Sequence, residues 1–241
     1  TRGGIVTPKQ DIEAYGLAMN ISASLSDAVT LRSISAWRKD TSFAPIDFDA
    51  LPAVDVDVPG YYANEQLSQE FQLLYESDKL NGLVGFYYLD AQATTNFDVL
   101  LYTTGNLLLL PQFSSYTSGV VNTETWSVFG DFTYDFTDQF AISVGGRYTS
   151  DTRRADILKQ RRILGPDPQL GGVAPVALVT DSNFEGKRNF TKFTPRASLS
   201  FKPNDDHLLY ASYSTGFKGG GFDPRGNSTG APDTNRDGVK S

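Results

Sequence analysis

Five basic side chains fall between positions 153 and 162: Arg153, Arg154, Lys159, Arg161 and Arg162. Guanidinium and ammonium groups at that density attract anions, either a negatively charged metal chelate or lipid phosphates; a solvated basic face has the same composition. A second group, Asp47, Asp49, Asp55 and Asp57, has the opposite sign. It reads as a solvated loop, or as carboxylates that bridge divalent ions to lipopolysaccharide. Asp233-Thr-Asn-Arg-Asp-Gly238 opens like a calcium loop,. Its closing Glu would fall beyond Ser241, and a polar turn is the simpler reading. Lys218 stands before Gly219, Gly220 and Gly221. A phosphate loop needs the lysine after the glycines, then a hydroxyl residue and a helix, and Pro224 blocks the helix.

The remaining chemistry is sparse. His207 is the one histidine and cysteine is absent, so neither a thiolate nor a multi-histidine metal site can be assembled,. No G-x-S-x-G elbow supports a nucleophilic serine. These features predict neither an enzyme nor a resident metal or cofactor. The net charge of −7 argues against a nucleic-acid partner,.

The elements that would position these residues are strands. The chain has 241 residues, with 16 Phe, 12 Tyr and 22 Gly, a composition that favours strands, turns and interfacial aromatic belts,. No apolar run reaches the length of a transmembrane helix, a test to which a membrane barrel is blind.

Period-2 alternation dominates. Trp126, Val128, Gly130, Phe132, Tyr134 and Phe136 share one face, while Ser127, Asp131, Thr133 and Asp135 share the other with Phe129. After a turn at Thr137-Asp138, Phe140, Ile142, Val144, Gly146 and Tyr148 alternate with Ala141, Ser143, Gly145, Arg147 and Thr149. That is the apolar-out, polar-in dyad of a membrane strand. The layout recurs around Ser26-Asp27, Asp78 and Pro203-Asn204-Asp205-Asp206, giving about eight strands in four hairpins. A soluble β-sandwich is the rival, but its strands are shorter and its connections do not alternate strictly between tight turns and long loops. Outer-membrane barrels do alternate so, with short periplasmic turns and long extracellular loops. On that rule the turns near 26, 78, 138 and 204 are periplasmic. Segments 41–60, 96–121, 155–183 and everything after 218 are extracellular loops. Both chain ends then lie on the outer side, and eight strands need partners at their edges, because unpaired backbone in lipid costs several kcal/mol per group.

The segment Tyr210-Ala-Ser-Tyr-Ser-Thr-Gly-Phe-Lys-Gly-Gly-Gly-Phe222 reads as a strand ending in a glycine exit. Gly219 to Gly221 are expected to take positive φ there, with Phe217 and Phe222 in an outer aromatic girdle. This segment resembles the late-barrel signature of TonB-dependent outer-membrane receptors of the siderophore-receptor type, through Tyr210, Tyr213, Gly216, Phe217, Lys218, Gly219, Gly220, Gly221 and Phe222. Ser68-Gln-Glu-Phe-Gln-Leu73, Leu80 to Asp90 and Trp126 to Thr149 resemble earlier hairpins of the same barrel, in the expected order.

The resemblance implies an all-β, antiparallel, up-and-down transmembrane β-barrel. About eight of its 22 strands lie within residues 1–241, without the plug domain or the terminal strands. It implies a receptor and active transporter for a scarce solute, most often a ferric siderophore, coupled to TonB through the plug. Outer-membrane lipid and lipopolysaccharide would surround it. Tyr61, Tyr62, Phe113 and Tyr116 are the loop aromatics expected to stack on such a solute, and the basic cluster is expected to attract it. The alternative is a passive outer-membrane channel or small structural barrel.

Overall fold

The computed structural model describes residues 9–50 and 53–223. It is a single antiparallel sheet. Its long strands are β1 (Asp11–Ser24), β2 (Val29–Phe43), β5 (Gly60–Glu76), β6 (Leu80–Leu100), β7 (Ser114–Thr137), β8 (Phe140–Ile163) and β9 (Val176–Asn204), followed by the shorter β10 (His207–Ser214). Each pairs with the next in chain order. Two short strands, β3 (Ile46–Asp47) and β4 (Asp57–Val58), pair with each other, and Asp57 also pairs with Leu100 of β6. One short helix, α1 (Tyr102–Leu107), follows β6.

The tight turns fall where the alternation breaks. Leu25 N–H donates to the Val29 carbonyl at 2.8 Å. At the β7–β8 turn, the Thr137 hydroxyl oxygen accepts from the backbone N–H of Gln139 and Phe140 at 3.2 and 3.1 Å. Asn204 Oδ1 accepts from Asp206 N–H at 3.2 Å. Short polar side chains that bond backbone two or three residues on are what such turns need.

The register puts one apolar face on the whole sheet. A continuous row runs Ile21, Ser33, Phe71, Phe86, Val128, Tyr148, Phe193. A second runs Val29, Tyr75, Gly82, Phe132, Val144, Ala197, Tyr213. Val128, Val144 and Phe193 are all more than half exposed, which in water would be a large unfavourable patch and in lipid is the required surface,. The opposite face carries Asp131, Arg147, Thr149, Lys192 and Arg196.

Two expectations change. At least half of each of the segments 96–121 and 155–183 is strand, not loop. β6 runs on to Leu100 and β7 starts at Ser114; β8 reaches Ile163 and β9 starts at Val176. The long connections shrink to 44–59, 101–113 and 164–175. β7 and β8 have 24 residues each, more than twice what a bilayer needs at about 9–11 residues,. Beyond the bilayer the outward face has no reason to stay apolar, so the alternation fades while the backbone ladder continues. The well-buried apolar side chains (Val58, Leu100, Tyr116, Ala155, Ile157 and Leu170) all sit towards the long-loop end.

Candidate functional site

On the polar face, Arg147 is the central group. Its guanidinium lies over the rings of Tyr87 and Phe129, 5.4 and 5.3 Å from their centroids, and its Nε donates to Thr149 Oγ1 at 3.3 Å. Phe129 can reach this position because Gly85 lies beneath its ring. A Cβ at Gly85 would stand 2.4 Å from Phe129 Cζ. Nearby, Arg196 Nε pairs with Asp131 Oδ2 at 3.0 Å. Arg153 pairs with Asp151 at 3.1 Å, and Thr125 Oγ1 donates to the same carboxylate at 3.2 Å.

The glycine segment belongs to this face. β10 stops at Ser214, and Thr215 N–H donates to the Pro195 carbonyl at 3.1 Å. The chain then crosses the inner side of β9. A Cβ at Gly219 would be 2.5 Å from Asp151 Oδ2, and one at Gly220 would be 2.7 Å from Phe190 Cζ. The rings of Phe222 and Phe184 are 5.7 Å apart. Two sequence expectations are therefore corrected. Gly219, Gly220 and Gly221 do not take positive φ, and their small size serves close backbone approach to the wall instead. Phe222 packs inside, not in an outer aromatic girdle. Within the family motif, Tyr210 and Tyr213 lie on β10, while Gly216, Phe217 and Lys218 lie past its end.

The basic cluster lies on β8, not in a loop, and alternation splits it between the faces. Arg161 makes a two-pronged contact with Asp181, at 2.7 and 3.0 Å, which holds that carboxyl below its usual range. Arg162 faces the other way. It pairs with Asp167 at 3.0 Å, donates to Gln160 Oε1, and lies 3.7 Å from the centroid of the Tyr116 ring. Lys159 also has a partner. Arg154 is exposed on the outward face.

The four aromatic candidates are not brought together. Tyr61 and Tyr62 alternate on β5 and point to opposite faces. Tyr116 is buried beneath Arg162, and Phe113 closes the 101–113 connection, its carbonyl accepting from Leu101 N–H at 2.9 Å.

Two buried carboxyls escaped sequence reasoning as individuals. Asp98 is fully buried on the outward side of β6. Its Oδ2 accepts from Asp167 N–H at 3.3 Å, while Oδ1 has no partner. Burial pushes its pKa up to about 7, against the opposing pull of the Ser114 hydroxyl and then of the Arg162 charge,. Asp57 was part of the acidic stretch. Burial, and then the charges of Asp47 and Asp49, push it up to about 6. Its neighbours have backbone work: Asp47 Oδ1 accepts from Ala50 N–H at 2.7 Å, and Asp55 Oδ1 from Thr103 N–H at 3.2 Å. The calcium-like segment 233–238 lies outside the described residues.

An up-and-down sheet with tight turns at one end, long connections at the other, one apolar face and one charged face is the wall of an outer-membrane β-barrel. Residues 5–239 match the family model described as "TonB dependent receptor-like, beta-barrel", and the chain belongs to that family. Its place is the outer membrane. The fold is similar to the ferric yersiniabactin uptake receptor FyuA from Yersinia pestis, with a TM-score of 0.61 and 20% identity, over 84% of this chain and 27% of that one. It is also similar to the ferric-catecholate import receptor Fiu from E. coli K12, with a TM-score of 0.56 and 12% identity, over 85% of this chain and 35% of that one. The chain thus spans about a quarter to a third of the receptors it matches.

Proposed function

We propose that this chain is part of the barrel of an outer-membrane receptor that actively imports a scarce solute, a ferric siderophore, with energy relayed by TonB to a plug domain inside the barrel. Residues 1–241 supply barrel wall, inner surface and outer connections; further strands of the same barrel pair with the free edges of β1 and β10. Outer-membrane lipid and lipopolysaccharide surround the apolar face. The observation that carries the reading is the inner face: Arg147 held over Tyr87 and Phe129 gives the wall a fixed cation beside aromatic surface. A cation beside aromatic surface is what an anionic, ring-bearing iron chelate would meet. Aromatic stacking by Tyr61, Tyr62, Phe113 and Tyr116 has less support, since the four do not converge. Arg153, Arg161, Arg162 and Lys159 serve the wall and its connections first, because each already has a partner.

The test is uptake of radiolabelled ferric siderophore by cells that carry the full-length receptor, with and without TonB. Accumulation that needs both supports the proposal. Accumulation that persists without TonB, with ion conductance in planar bilayers, would establish the passive channel instead.

A further inference from the structure

Arg154 and Lys187 are directly opposite each other on β8 and β9, on the face that carries Tyr148 and Phe193 lower down. Both are exposed, and neither makes an ion pair or a hydrogen bond with the described residues. One row further out, Asp156 and Glu185 are opposite each other in the same way. Like charges facing across a ladder are destabilising, and among the described residues no ion pair closes between the two rows. On the same outward face Arg162 and Lys39 do have carboxylates, Asp167 at 3.0 Å and Glu65 at 3.1 Å. Around the unmatched pairs lies an open depression of about 360 Å³, lined by Asn122, Arg154, Asp156, Glu185 and Lys187.

Its height fixes the environment. Trp126, whose ring is 5.6 Å from that of Tyr148, pairs with Ser150. Such paired aromatics mark the boundary between acyl chains and headgroups. Arg154 is four residues further along β8. That is about 13 Å along the strand and, at a tilt of about 40°, about 10 Å along the membrane normal. The headgroup layer extends about 5–8 Å beyond the hydrocarbon on each side, so the backbone at Arg154 stands just above it, and side chains as long as arginine and lysine span the remaining distance.

The geometry points to a docking site for a phosphorylated glycolipid of the outer leaflet, with its phosphate between Arg154 and Lys187. Two cations opposite one another suit a dianionic phosphate, which relieves their repulsion. Asp156 and Glu185, one row out, meet the divalent counter-ions that accompany phosphates at such a surface. The site lies on the outside of the barrel, so it is independent of the imported solute.

The experiment uses full-length receptor in detergent, with binding of bisphosphorylated lipid A and of its dephosphorylated form measured by native mass spectrometry. The wild type should prefer the phosphorylated lipid at least tenfold. Arg154→Gln with Lys187→Gln should remove the preference, and Lys39→Gln, whose charge Glu65 already matches, should keep it. Equal binding of the two lipids by the wild type overturns the site without recourse to any variant. So does a preference that survives in a double variant still folded by heat-modifiable mobility. Loss of siderophore uptake would leave all these outcomes unchanged.

Discussion

Val144 and Ser143 are adjacent on β8 and meet different solvents. Val144 lies in the outward row with Phe132, Ala197 and Tyr213, while Ser143 turns inward and its hydroxyl is 2.7 Å from that of Thr133. Val144→Arg should cost about 2–4 kcal/mol near the bilayer midplane. Ser143→Arg should cost much less, read as urea unfolding midpoints in lipid; equal shifts would mean that the faces are assigned wrongly. Glycines offer a second contrast. Gly85→Ala drives a Cβ into the Phe129 ring and disturbs the Arg147 stack, whereas a Cβ at Gly216 meets nothing within 4 Å. The first substitution should lower the unfolding midpoint clearly and the second barely. At this scale the sequence shows chemistry but not pairing. Arg161 and Arg162 read as a cluster because they are neighbours. Their partners, Asp181 and Asp167, lie 20 and 5 positions away, and alternation turns the two arginines to opposite faces.

The connection 164–175 is fastened to the outward side by Asp98, Asp167 and Arg162. Asn96 Nδ2 also donates to Gln169 Oε1 at 2.7 Å, and Leu170 is buried. Protonated Asp98 suits this buried place, and its pKa of about 7 lies well above the unfolded value near 3.9,. The docked state is therefore most stable below about pH 4 and weakens as pH rises towards 7. Limited proteolysis within 164–175 should be slow at pH 5 and faster at pH 8. Asp98→Asn, which can still accept from Asp167 N–H, should make the rate insensitive to pH across that range. Asp57, pushed up to about 6, acts in the same direction on the 44–59 connection. The hairpins themselves were readable in advance, because lipid enforces strict alternation and tight turns carry their own residue types. The outer halves of β6 to β9 were not, because water on the outward face relaxes the pattern without interrupting the ladder. The path of 215–223 was unreadable for another reason. Glycines signal that something comes close, but not what.

At the scale of the molecule, among the described residues β1 pairs only with β2 and β10 only with β9, so their sheet is open at both sides. In lipid, those edges leave rows of backbone N–H and C=O groups unsatisfied. The 241-residue chain refolded by itself in micelles should associate through its edges and sediment as oligomers. The full-length receptor should sediment as one folded barrel, and a well-behaved monomer of the short chain would contradict this account. The length of β7 and β8 has a different consequence. Twenty-four residues at about 3.3 Å each, tilted by about 40°, rise about 60 Å, twice the hydrocarbon thickness of about 30 Å,. The wall therefore stands well clear of the bilayer on the side of the long connections. On the proposed receptor function, a large solute meets this raised rim before it meets the membrane. The same projection makes the rim the part of this protein most open to antibodies and to phage.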